Sequence, residues 1–131
     1  MPLLLDTDVI IDYPRGREQA ITYIESLTEP LLISTISIAE LYSGVREGDE
    51  RTALQTFLSA FETVDVSPEI AVRGGLLRRD WGKSHKVGLA DALIAATAEV
   101  RGATLITLNI KHFPIKHFPM LPSAKAPYVK A

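Results

Sequence analysis

Near its start the chain runs three leucines straight into an acid, Leu3-Leu4-Leu5-Asp6. An apolar run with no alternation needs cover on both faces, which is the pattern of a strand in a parallel sheet lying between helices. The acid that ends the run then falls at the carboxyl edge of the sheet, where open parallel sheets bind their ligands. Three further short segments read as strands: Leu31-Leu32-Ile33-Ser34 after Pro30, Thr63–Val66, and Ala103–Leu108 after Gly102.

Helical patterns alternate with these strands. Ala20, Ile21, Ile24 and Leu27 mark one face of a helix over Gly16–Leu27. Ser37 starts a helix carrying Ile38, Leu41, Tyr42 and Val45, and Glu50–Phe61 forms another with Leu54, Phe57, Leu58 and Phe61 in phase. Ser67-Pro68 is a strong helix start, with Ser67 as N-cap and proline at the first helical position. That helix runs towards Lys83, and Lys83–Gly88 reads as a polar loop. Leu89–Arg101 is a helix of small residues closed by Gly102. The proline-rich end of the chain offers Tyr128-Val129 as a last edge strand. The expected fold is therefore α/β, in three layers, with a central parallel sheet of four or five strands flanked by helices. With 131 residues and no long linker, residues 1–131 are expected to form a single domain.

Composition narrows the chemistry. There is no cysteine, which excludes disulfides, thiolate zinc sites and a cysteine nucleophile. The longest uncharged apolar-leaning run, Pro30–Ala39, is far short of the ~20 residues of a membrane span, and Asp6 and Asp8 interrupt the stretch where a signal peptide would be apolar. A cytoplasmic location with no membrane partner is the expectation. Residues 1–65 hold twelve acids and four bases, whereas residues 66–131 hold four acids and ten bases. The basic half can attract a phosphate backbone, although two halves of opposite charge can equally attract each other or face water.

Four polar residues fall near the carboxyl ends of the expected strands. Asp6 closes the first, Glu40 lies one turn into the helix after the second, Asp91 opens the helix before the fourth, and Asn109 follows the fourth. Carboxylates converging on one cleft repel one another unless a cation neutralises them, and Mg²⁺ or Mn²⁺ suits oxygen ligands. Each has a structural alternative. Ser37-x-x-Glu40 is a capping box, in which Glu40 bonds back to the Ser37 backbone. Asp91 suits the positive end of a helix. Asp6 has no such excuse beyond capping the short helix Thr7–Tyr13, on which Asp8 and Asp12 read as solvated or capping acids.

The segments LLLDTDVIID (Leu3–Asp12), TISIAELYSGV (Thr35–Val45), GLADALIAATA (Gly88–Ala98) and TLITLN (Thr104–Asn109) together resemble the PIN-domain ribonucleases, and within them the VapC-type toxins of toxin–antitoxin pairs. The resemblance implies a metal-dependent endoribonuclease in which Asp6, Glu40 and Asp91 are catalytic and bind Mg²⁺ or Mn²⁺. It implies that the hydroxyls of Thr7 and Thr107 support the acids. It also implies RNA as substrate, a VapB-like antitoxin as partner, and a homodimer. Many relatives carry an acid after the last core strand, and here Asn109 stands at that place, with Lys111-His112 downstream. An amide can hold a metal or a water but adds no charge, which argues against a tightly bound second metal. Arg78, Arg79, Lys83 and Lys86 of the basic half are candidates to grip RNA. Trp81 and Tyr42 could stack on bases, but their helical spacing reads as core or dimer contacts. His112 and His117 form a conceivable metal pair, but both belong to a duplicated KHFP (Lys111–Pro114, Lys116–Pro119), which explains the pair more simply.

Two other readings compete. Asp6-Thr7-Asp8 after a first strand is also the pattern of a haloacid-dehalogenase-like phosphotransferase, but such enzymes need a late acidic pair, and beyond Asp91 the chain holds only Glu99. A binding module keeping the PIN fold without its chemistry is the other, against which all three cleft acids are present.

Overall fold

The computed structural model describes residues 1–110 and 123–128. Along them run β1 (Leu3–Leu5), α1 (Thr7–Asp12), α2 (Glu18–Glu25), β2 (Leu31–Ser34), α3 (Thr35–Ser43), α4 (Asp49–Leu58), β3 (Glu62–Val64), α5 (Pro68–His85), α6 (Leu89–Arg101), β4 (Thr104–Ile106) and β5 (Ser123–Lys125). All five strands are parallel, in the order β3-β2-β1-β4-β5. The leucine run is central, with Leu4 opposite Leu32 on one side and Leu105 on the other.

Alternation along the strands explains why a run with no polar residue is needed. Leu4, Leu32 and Leu105 join Ile70, Leu77 and Ile94 of α5 and α6 in one core. Leu3, Leu5, Ile33 and Ile106 join Val9, Ile10, Ile24, Leu41 and Leu54 of α1 to α4 in a second. The sheet is thus covered on both faces, the expected three layers. Gly74 of α5 lets α6 come close: a Cβ there would stand 2.6 Å from Leu93 Cδ2 and 3.1 Å from its Cα. Arg73 and the buried Glu99 lock the same pair of helices at 2.6 Å.

Several boundaries differ from expectation. The first long helix is shorter, Glu18–Glu25, and the fourth ends at Leu58. β3 stops at Val64 and β4 at Ile106, so Thr107 and Leu108 belong to the turn beyond the sheet. The expected loop at Lys83 is still helix: α5 continues to His85 and closes on Lys86, which takes the left-handed conformation at φ 56°. The edge strand is Ser123–Lys125 rather than Tyr128-Val129; Tyr128 follows it outside any strand, and Val129 lies outside the described residues, as does the duplicated KHFP. The most consequential change is α3. It starts at Thr35, with the Ser34 hydroxyl accepting the Ile36 N–H at 3.1 Å, so Ser37 is a buried residue inside the helix and not its cap. Among the described residues no helix is long and apolar enough to cross a membrane.

Candidate active site

Asp6 leaves β1 in extended conformation (φ −71°, ψ 156°) and caps α1, its Oδ1 accepting the Thr7 N–H at 2.8 Å. Its Oδ2 accepts the Thr107 hydroxyl, also at 2.8 Å, and Thr107 Oγ1 in turn accepts the Asn109 N–H at 3.0 Å. The Asp6 backbone N–H bonds the Ile106 carbonyl at 2.8 Å. Two adjacent strand ends therefore fix this carboxylate, which is only 4% exposed. Burial, the Asp8 carboxylate and, more weakly, Asp91 push Asp6 from 3.8 up to about 7, against the opposing pull of the Thr107 and Thr7 hydrogen bonds.

Glu40 arrives from α3 and does not form the capping box. Its Oε1 lies 2.7 Å from Thr7 Oγ1, which also lies 2.8 Å from Ser37 Oγ. A hydroxyl has one proton, and the carboxylate is the stronger acceptor, so Thr7 donates to Glu40 and accepts from Ser37. Thr7 thereby ties both acids together, the backbone to Asp6 and the side chain to Glu40. Asp91 stands in the first turn of α6, half-buried, beside Gly88. Asp12, expected to be a solvated or capping acid, is buried and pairs with Arg17 at 3.4 Å, and Asp8 departs from the same expectation. It is neither a cap nor a solvated group: its Oδ2 accepts both the Leu108 N–H and the Asn109 side-chain amide, each at 3.1 Å. Asn109 is therefore a donor that holds a fourth carboxylate. Asp8 follows Asp6 by two residues at a strand-to-helix turn, and that spacing was the available signal for its place in the cleft.

Asp6, Asp8, Glu40 and Asp91, with Thr7 and Asn109, line one cavity of about 890 Å³ at the carboxyl edge of the sheet. Thr107 supports it from beneath. Among the described residues no three acidic or histidine side chains already stand at metal-holding geometry, so the acids share a cavity and not a closed shell. The cationic residues lining the cavity are Arg15 and Arg46. Arg78, Arg79, Lys83 and Lys86 lie on α5 or at its end and do not line it; Arg79 is paired with Asp80 at 2.8 Å. Tyr42 and Trp81 are half-buried against the two cores. His85 sits edge-on to Trp81, and His112 and His117 lie outside the described residues.

Known proteins resemble the chain in sequence and in fold. The PIN domain family model matches residues 3–115. Ribonuclease VapC10 of Mycobacterium tuberculosis is 40% identical over 116 residues, covering 86% of each chain. Ribonuclease VapC19 of the same organism is 39% identical over 129 residues, covering 95% of this chain and 98% of its own. A chain in a toxin–antitoxin complex from Klebsiella pneumoniae superposes with a TM-score of 0.81 at 31% identity, covering 98% of this chain and 99% of the other. The match in sequence, in length and in the arrangement of the sheet places the chain in the PIN domain family, on its VapC branch.

Proposed function

We propose that the chain is a Mg²⁺- or Mn²⁺-dependent endoribonuclease acting as the toxin of a toxin–antitoxin pair, held in check by a VapB-like antitoxin. The observation that carries this reading is the meeting of Asp6, Glu40 and Asp91, from β1, α3 and α6, in one cavity of a VapC-like chain. The relatives' names support the ribonuclease activity, and the Klebsiella complex supports the antitoxin. Family membership favours this reading over the phosphotransferase one. The whole chain is taken as one PIN domain working as a cytoplasmic homodimer.

The donor set suits a hard divalent cation. It consists of carboxylate oxygens, and one of them, Asp6, is buried among like charges and driven towards its neutral form. Asp6 is fixed and Glu40 is held by Thr7, whereas the half-buried Asp91 can turn on its side-chain bonds towards an ion. Asp6, Asp91 and Glu40 are the proposed ligands, with Glu40 also placed to orient the attacking water. A bound ion would acidify water and offset charge on the phosphate oxygens. Thr107 and Thr7 keep the Asp6 carboxylate aimed, and Thr7 holds Glu40 beside it. Asn109 holds Asp8 at the cavity wall, where its charge adds to the attraction for a cation.

Purified protein freed of antitoxin should cut RNA when Mg²⁺ or Mn²⁺ is added and stop when EDTA is added. Equal cleavage with and without the chelator would sink the metal mechanism, and no cleavage under any condition would favour the non-catalytic binding module.

A further inference from the structure

The cavity presents a problem for the proposed substrate. Its lining includes Asp6, Asp8, Glu40 and Asp91, and a phosphodiester chain approaching these acids meets like charge that only a bound cation or a cationic side chain offsets. Among the described residues no base of the second half lines this cavity, Lys83 and Lys86 of α5 and its end included. On α5, Arg73 is taken by Glu99, Arg79 by Asp80, and the Arg78 guanidinium lies along its own helix over Gly82. Arg101 is paired with Glu62.

Arg15 is differently built. Residues Tyr13-Pro14-Arg15-Gly16 form a turn closed by the Gly16 N–H on the Tyr13 carbonyl at 3.0 Å. Proline at the second position and glycine at the fourth suit such a turn, and Gly16 takes φ 78°. The base of the turn is anchored on both sides. Tyr13 stacks on Phe57 with ring centroids 4.3 Å apart. The buried Asp12 accepts the Tyr128 hydroxyl at 2.9 Å and pairs with Arg17 at 3.4 Å. Arg15 stands at the tip of this anchored turn, exposed, lining the acidic cavity, and with no ion-pair partner among the described residues. Arg46 lines the cavity from the separate turn between α3 and α4, and its pairing with Glu50 at 3.5 Å, the one it makes among the described residues, is between exposed side chains and so weak.

We propose that Arg15, with Arg46 from the second turn, grips the backbone phosphates of single-stranded RNA at the mouth of this cleft, in place of the α5 bases. The inference rests on the nuclease reading above and adds the residues that position its substrate. A planar guanidinium on a rigid turn suits phosphate oxygens, and neither arginine reads a base, so the grip is independent of sequence.

The test is binding of a labelled single-stranded RNA to the full chain in EDTA, across a range of NaCl, read by fluorescence anisotropy. Arg15→Ala and Arg46→Ala should each weaken binding roughly fivefold and each flatten the plot of log affinity against log salt by about 0.7. Arg15→Lys, which keeps the charge, should keep the slope. In cleavage with metal, Arg15→Ala should raise KM with kcat little changed. The double variant Arg78→Ala/Arg79→Ala should bind as the original protein does. A wild-type salt slope in both arginine variants, or a slope lost in the α5 variant, would overturn the proposal while leaving the nuclease reading intact. Should the original protein neither bind nor cut RNA, both would fall together. If Arg15→Ala instead abolishes binding of a polyglutamate peptide and leaves RNA binding unchanged, the turn serves an acidic protein partner and the RNA grip is wrong.

Discussion

Replacing Asp6 by asparagine should make the metal-free protein more stable, although it removes the most deeply fixed acid of the site. The carboxyl titrates near 3.8 when unfolded and near 7 in the fold, because burial and the neighbouring Asp8 and Asp91 penalise its charge. That difference corresponds to something on the order of 4 kcal/mol against the ionised form. The sign follows from proton binding: between the two values the folded chain holds a proton that the unfolded chain has lost, so stability falls as pH rises through this window. Above pH 7 the penalty is present in full, and below 3.8 it is absent. Asparagine abolishes it but turns an N–H towards Thr107 Oγ1, which loses its acceptor at a cost of about 1 kcal/mol. The net gain above pH 7 is roughly 2–3 kcal/mol, or roughly 6–12 °C in Tm for a chain of this size. Calorimetric melting of both proteins in EDTA from pH 4.5 to 8.5 measures it. Asp6→Asn should melt higher at pH 8, with the gap closing towards pH 4.5. A lower Tm for Asp6→Asn at pH 8, or a gap that ignores pH, would refute the claim that like-charge crowding and burial govern this site.

Two other perturbations follow from the hydrogen-bond geometry. Thr7→Val removes the hydroxyl joining Ser37 to Glu40; stability should fall by about 1 kcal/mol, whereas RNA cleavage should fall roughly tenfold or more, read by melting and by initial rates. Asn109→Asp sets a carboxylate against Asp8 Oδ2, where an amide now donates at 3.1 Å; the apo Tm at pH 8 should drop, and added Mg²⁺ should raise Tm by more than in the original protein.

What could be read from the sequence was what is local. Leu3-Leu4-Leu5-Asp6 announces a covered strand with an acid at its end, and Ser67-Pro68 announces a helix, because neighbours in the chain decide both. Ser37, with Glu40 three residues on, reads as the N-cap of the helix, whereas Ser34 reads as the end of a strand. Ser34 is the one used because β2 delivers it in extended conformation, and Ser37 is then spent on a contact with Thr7 that spans thirty residues. No capping rule sees that contact, so Glu40 was open to a capping role that it does not have. Asp8 escapes local rules for a similar reason: its partners Leu108 and Asn109 lie about a hundred residues away and meet it only because β4 pairs with β1. The basic half suggested RNA contacts on α5, but charge counts carry no direction. The arginines that face the cavity come from the acidic half, on the turns after α1 and α3.

The central claim is that Asp6, Glu40 and Asp91 act through a divalent ion to cut RNA. Single-turnover cleavage of a single-stranded RNA by antitoxin-free protein, titrated with Mn²⁺ after EDTA treatment, tests it most directly when Asp91→Asn and Glu40→Gln are run beside the original chain with their folding verified by melting. The original protein should be silent in EDTA and recover as Mn²⁺ is added, while each folded variant stays at least a hundredfold slower, about 3 kcal/mol in barrier. Folded variants that cleave at the original rate, or an original protein that needs no ion, would contradict it.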